Sequence, residues 1–134
     1  KLKKINIGNT HVTRDFNYID DTVSAFVATI KASNILGEVL NIGTGREISI
    51  KALLKTVSKI TSFEKKINIE KIRIRNKATE VDRLCASNVK AKKLLNWKPK
   101  FQSKKGFETG IKNTVDWFKK EENKKKFKTN FYNI

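Results

Sequence analysis

The feature that most limits the fold of this 134-residue chain is a hydrophobic period that changes along its length. Apolar residues recur every three to four positions in three stretches: Val23, Phe26, Val27 and Ile30; Leu53, Leu54, Val57 and Ile60; Phe107, Ile111, Val115 and Phe118. Each reads as the buried face of an α-helix. Between the stripes lie short β-branched runs, KKINIGN at 3–9, EVLNIG at 38–43 and KINIEKIRIR at 66–75, which suit strands. In the last of these Ile67, Ile69, Ile72 and Ile74 are the apolar members, and Glu70-Lys71 breaks the phase, implying a bulge or a turn. With no internal repeat and no linker, this alternation predicts one compact α/β unit.

Local signals set the expected boundaries. Asp20 and Asp21 stand at the start of the first helix, where carboxylates accept from free N–H groups and complement the dipole. Gly37 suits a left-handed stop or turn. Ser49 and Ser103 are expected to cap the second and last helices, and Ser87 to begin a shorter one that Asn96 ends ahead of the only proline, Pro99. Gly106 and Gly110 each weaken the last helix by about 1 kcal/mol relative to alanine. Trp97 is expected in the core, and the charged tail at 121–134 is expected to fray.

Composition narrows the chemistry. A single Cys85 forms no internal disulfide, and one cysteine with one histidine, His11, cannot build a structural zinc site from nitrogen and sulfur ligands. No nucleophile-elbow pattern is present. No apolar run approaches the roughly 20 residues of a membrane helix, and no signal-peptide pattern occurs, so a cytoplasmic location is expected. The absence of methionine and the start within the strand-like KLKKINIG lead to the expectation that this is the downstream part of a longer polypeptide.

The formal charge of +17 raises a basic nucleic-acid-binding module as an alternative. The cations are spread along the whole chain, however, in a composition rich in Lys, Asn and Ile, as AT-rich coding gives without selection for charge. A non-catalytic remnant of a truncated gene is a further alternative.

Of the 30 cations only five are arginines: Arg14, Arg46, Arg73, Arg75 and Arg83. Forked guanidinium groups suit phosphate oxygens and a carboxylate suits ribose hydroxyls, so Arg14, Arg75 and Arg83 with Glu80 could hold a nucleoside diphosphate. Equally, Arg14 could pair with Asp15 or Asp20, and Arg83 with Glu80 or Asp82, as surface ion pairs of little worth. Spacing does not choose between these. The glycine turn GTG at 43–45 has the general form of a phosphate loop but matches neither G-x-G-x-x-G nor the Walker pattern, so a structural turn is the better reading.

Four segments in order, TRDFNYIDDTVSAF, GEVLNIGTGREISI, TEVDRLCASNVKAKKLLNWKPKF and GFETGIKNTVDWF, resemble the C-terminal part of extended short-chain dehydrogenase/reductases. These are the NAD-dependent nucleotide-sugar epimerases and dehydratases, and the wording is most similar to the 4,6-dehydratase branch. The resemblance implies an α/β, Rossmann-type enzyme whose N-terminal dinucleotide-binding part is missing, with residues 1–120 as its nucleotide-sugar-binding region. It implies NAD as cofactor of the intact enzyme, oxidation of a nucleotide-diphosphate sugar at C4, and a possible homodimer. By position, Arg14 would reach the substrate diphosphate and Asn41 would lie near the nucleotide. Arg75 and Glu80 would grip phosphate and ribose, with Arg83 a secondary candidate. Val12 and Asn76 stand where such enzymes commonly carry proline, which puts loop shape there in question.

The family's G-x-x-G-x-x-G fingerprint and Y-x-x-x-K pair do not occur in this sequence. Tyr18 is followed four residues on by Thr22, and Tyr132 is two residues from the end. A phenol of pKa about 10 without a lysine beside it is a poor base at neutral pH. The chain alone is therefore expected to be inactive.

Overall fold

The structure, a computed structural model, describes residues 4–64, 66–76 and 78–127. Residues 128–134, with Tyr132 and the end of the tail expected to fray, lie outside the described residues.

Two small sheets form. Strand β1 (Lys4–Ile7) pairs in parallel with β4 (Lys66–Ile69). Both read KINI, and they align Lys4 with Lys66 through Ile7 with Ile69, so like side chains stack. Asn68 Nδ2 donates to Asn6 Oδ1 at 3.2 Å across this pair. The phase break at Glu70-Lys71 is a turn: a 3-10 segment, Lys71–Arg73, follows β4 directly, so Ile72 and Ile74 continue no strand.

The second sheet has the order β3-β2-β5, with β2 (Thr13–Asp15) central, antiparallel to β3 (Glu47–Ser49) and parallel to β5 (Arg83–Leu84). Side chains alternate faces along a strand. Arg14, opposite Ile48 and Leu84, therefore faces one way, and Thr13, opposite Ser49 and Arg83, faces the other.

Helix α2 (Ile50–Thr61) begins at Ser49, whose hydroxyl accepts from Ala52 N at 3.1 Å, and α4 (Lys104–Lys119) at Ser103, whose hydroxyl accepts from Gly106 N at 3.0 Å. Both caps are where the sequence places them. The two helices pack on each other; Leu53, Leu54, Val57 and Ile60 of α2 are half-buried and Phe107, Ile111 and Val115 of α4 buried or half-buried, while Phe118 at the end of that stripe is exposed. Gly106 is required by close approach: a Cβ there would stand 2.7 Å from the Phe101 Cα. Helix α5 (Glu121–Lys124) follows, and Phe127 joins Trp117 and Phe118 in a ring cluster with centroids 5.0–5.9 Å apart.

Helix α1 (Ile19–Lys31) departs from the reading of its stripe. Val23, Phe26, Val27 and Ile30 are 52, 67, 44 and 84% exposed. The inward face carries Asp21, Ser24, Ala25 and Ala28 instead, because its neighbours offer polar groups. Asp21, 1% exposed, accepts from Lys100 N (2.8 Å) and Phe101 N (3.0 Å), and Trp97 Nε1 donates to Ser24 Oγ (2.8 Å). Asp21 thus serves a distant turn, not the start of its own helix, where Tyr18 is the cap residue without a side-chain bond.

Trp97 is buried with Ala25, Ala91 and Leu95, and Ile35, Leu40 and Ile42 pack against that cluster. Helix α3 (Val89–Leu95) starts at Asn88 and not at Ser87, since Asn88 Nδ2 is drawn to Gly43 O at 2.8 Å; it ends at Asn96 in the left-handed region. The expected strand at 38–43 is not one: among the described residues this segment pairs with no other.

Candidate functional site

The site grows from the end of the central strand. Arg14 lies on β2, half-buried. Its Nη1 donates to the Thr13 carbonyl at 2.7 Å and its Nη2 reaches Glu80 Oε1 at 3.4 Å. The Arg14 and Glu80 side chains are 25% and 11% exposed, so water screens this pair less than a surface pair. Glu80 also accepts from Asn9 Nδ2 at 3.1 Å. Asn76 builds the turn that delivers it, accepting Ala78 N on its side chain and Thr79 N and Glu80 N on its carbonyl. A proline at 76 would lose the side-chain acceptor, which accounts for the asparagine.

The next residue, Asp15, holds the floor. Its Oδ1 accepts from Thr44 N (3.0 Å) and Thr44 Oγ1 (2.5 Å), and its Oδ2 from Gly45 N (2.9 Å) and Ala86 N (3.3 Å). One carboxylate therefore joins β2, the glycine turn and the segment before α3. Gly43 lies so close that a Cβ would meet the Ala86 Cβ at 2.6 Å and Asp15 Oδ2 at 2.7 Å. Sequence reasoning missed this role, treating Asp15 only as an ion-pair partner for Arg14.

An open cavity of about 460 Å³ lies above this floor. Arg14, Asn17 and Asn41 give it polar groups, Ile42 and Leu84 an apolar wall, and Cys85 and Ser87 its far edge. The structure thus brings Arg14, Asn41 and, through its ion pair, Glu80 together. Arg83 does not join them: by strand parity it projects from the opposite face, where Nε and Nη2 engage Glu47 at 3.0 and 2.8 Å. Arg75 is exposed and lines no part of this cavity. Neither pairing considered for Arg14 and Arg83 from sequence is the one formed.

The electrostatics follow the contacts. The hydrogen bonds from Arg83 hold the Glu47 carboxyl below its ordinary range, and Glu47 in turn raises Arg83. Desolvation, then the Asp15 charge, pushes the Cys85 thiol up from its ordinary value, although the residue is exposed. The glycine turn does not fit a cofactor phosphate, because its Thr44 and Gly45 N–H groups already bind Asp15. Among the described residues no cluster of His, Cys, Asp or Glu is placed to hold a metal ion, and no helix is long and apolar enough to cross a membrane.

This fold is that of the extended short-chain dehydrogenase/reductases. It superposes on the UDP-glucose 4-epimerase of Thermotoga maritima, solved with UDP-glucose, with a TM-score of 0.73 at 32% identity, covering 87% of this chain and 35% of that one. On the UDP-glucuronic acid 4-epimerase of Bacillus cereus, solved with NAD, the TM-score is 0.70 at 29% identity, over 90% and 34% of the two chains. Residues 1–114 match the family model described as GDP-mannose 4,6 dehydratase, and the chain belongs to that family.

A UDP-glucuronate 4-epimerase of Thermodesulfobacterium geofontis is 31% identical over 113 residues, covering 81% of this chain and 31% of the relative. Relatives named for 4-epimerisation thus match the same region, so the family's name does not fix the reaction. The chain spans about a third of the length of the curated relatives it matches. These likenesses favour enzymes of nucleotide sugars over a basic nucleic-acid-binding module.

Proposed function

We propose that this chain is the nucleotide-sugar-binding part of an NAD-dependent epimerase or 4,6-dehydratase, with Arg14 and Asn41 gripping the nucleotide diphosphate. The observation that carries this reading is Arg14 beside Asn41 in an open cavity, in a chain similar to an epimerase solved with UDP-glucose. Arg14 spends two of its five donors on Thr13 and Glu80, which leaves others for phosphate oxygens. Glu80 holds the guanidinium and offers a carboxylate for ribose hydroxyls. Arg75, exposed and outside the lining of the cavity, is kept as a second phosphate contact on the resemblance alone, while Arg83 is committed to Glu47.

In the intact enzyme NAD supplies the hydride acceptor for oxidation at the sugar C4. This chain contributes orientation: holding the distant diphosphate positions the reacting sugar. With no tyrosine placed four residues before a lysine, the chain alone turns over no substrate.

The test is titration of the isotopically labelled chain with UDP-glucose, followed by NMR. Shifts are expected at Arg14 Nε, at 41–45 and at 84–87, and Arg14→Ala should weaken binding roughly 10- to 150-fold, the loss of one charge-assisted contact of about 1.5–3 kcal/mol. Shifts confined to another surface, or an Arg14→Ala chain that binds like wild type, would refute the assignment.

A further inference from the structure

We infer that the groove between α2 and α4 binds a run of linked phosphates, the group shared by nucleoside triphosphates and inorganic polyphosphate.

The groove is an open cavity of about 620 Å³ and shares no lining residue with the cavity that holds Arg14. Lys55 and Lys59 line it from α2 and Lys104, Lys105 and Lys112 from α4, against a single acidic residue, Glu108. Lys112 is held by Asp116 at 2.6 Å. Among the described residues the other four lysines form no ion pair, and neither does Glu108.

This arrangement works against the fold. Lys51, Lys55 and Lys59 follow one another at i, i+4 and i+8 on α2, and like charges at that spacing repel. Lys104 and Lys105 occupy the first turn of α4, where the dipole disfavours cations and no acidic residue offsets them. The packing of α2 on α4 then brings both sets of charge to one groove. Local choices that break the rules of stability in this way are found at functional sites. A bound polyanion relieves all three conflicts at once.

The class of ligand follows from the side chains. Lysine is a point charge that suits phosphate oxygens, and it lacks the planar fork that pairs with carboxylates; no arginine is among the lining residues. Lys55 and Lys59 stand about 6 Å apart along α2, and Lys105 and Lys112 about 10 Å apart along α4. One phosphate meets only part of such a row, whereas linked phosphates span it. The hydroxyls of Thr56 and Thr109 donate to their own helices, at 3.1 and 2.8 Å, so the lysines carry the recognition.

The test is NMR titration of the isotopically labelled chain with sodium tripolyphosphate at low salt, beside ATP, inorganic phosphate, hexaglutamate and a short oligothymidylate. Tripolyphosphate and ATP are expected to shift amides at 52–60 and 104–112, and inorganic phosphate to bind several-fold more weakly. Lys55→Gln/Lys105→Gln should weaken tripolyphosphate roughly 10-fold while leaving the UDP-glucose shift at Arg14 Nε unchanged. Glu108→Gln should tighten tripolyphosphate about threefold, a gain that misfolding does not give. Lys124→Gln/Lys125→Gln, at the end of α5, should leave the affinity unchanged. Equal losses from the two lysine pairs, or shifts spread over the whole surface, would overturn the inference in favour of unspecific attraction to net charge. Tighter binding of hexaglutamate or of the oligothymidylate than of tripolyphosphate would overturn it in favour of an acidic peptide or a nucleic acid.

Discussion

Asp15 offers the sharpest test of how the cavity floor is held, and Asp15→Ala is the perturbation. The carboxylate receives three backbone N–H groups and one hydroxyl, from Thr44, Gly45 and Ala86. Gly45 is exposed and can turn to water, and Ala86 is the longest of the three backbone contacts at 3.3 Å. Thr44 is buried, so the loss of its two bonds decides the cost. A hydrogen bond to a charged group contributes about 1.5–3 kcal/mol, and a buried donor left unpaired costs about 1–3 kcal/mol. Allowing for relaxation of an open floor, Asp15→Ala should destabilise the chain by about 2–4 kcal/mol.

Urea unfolding followed by circular dichroism reads this directly, as a midpoint lowered by roughly 1–2 M for a slope near 2 kcal/mol/M. Asp15→Asn separates geometry from mere polarity. An amide keeps one acceptor but turns an NH₂ toward donors, either Thr44 or the pair Gly45 and Ala86, so it should recover at most half of the loss. Asp15→Asn unfolding with wild type, or Asp15→Ala within about 0.5 kcal/mol of it, would refute the reasoning, since surface substitutions stay in that range.

Other outcomes follow from single contacts. Gly106→Ala gains about 1 kcal/mol of helix propensity but places a Cβ 2.7 Å from backbone, so it should lower stability by about 1–3 kcal/mol net, measured by thermal melting. The Glu47 carboxyl titrates below its ordinary value because Arg83 bonds it, so its contribution is complete above about pH 4.5 and is lost as pH falls through the lower folded value. The stability difference between wild type and Glu47→Gln should therefore shrink toward zero between pH 5 and pH 2, about the range over which depressed carboxylates protonate. Cys85, its thiol raised by desolvation and by Asp15, should react with iodoacetamide more slowly in the folded chain than in urea-unfolded chain at equal pH, and Asp15→Asn should speed it.

What the sequence yielded and what it withheld differ by range of interaction. The serine caps at 49 and 103, the stop at Asn96 and the turn at Glu70-Lys71 depend on a few adjacent residues, and all are found where the spacing places them. The family likeness was legible for the same reason, since its four motifs are local strings. The direction of the α1 stripe was not, because Asp21 is drawn inward by backbone groups 79 and 80 residues away. Period reports that a helix has an apolar face, and only the opposing surface decides whether that face is covered.

The arginines carry the same lesson into the site. Strand pairing sets Arg14 and Arg83 on opposite faces, so sequence proximity of Arg83 to Glu80 counts for nothing against a register that gives it Glu47. Asn76 and Glu80 come to Arg14 through one turn, over a separation of 66 residues between the two charges. The register of TRD, EIS and RL by itself separates the two arginines. The short strands hid it: with three, three and two residues, none carries enough alternation to be read.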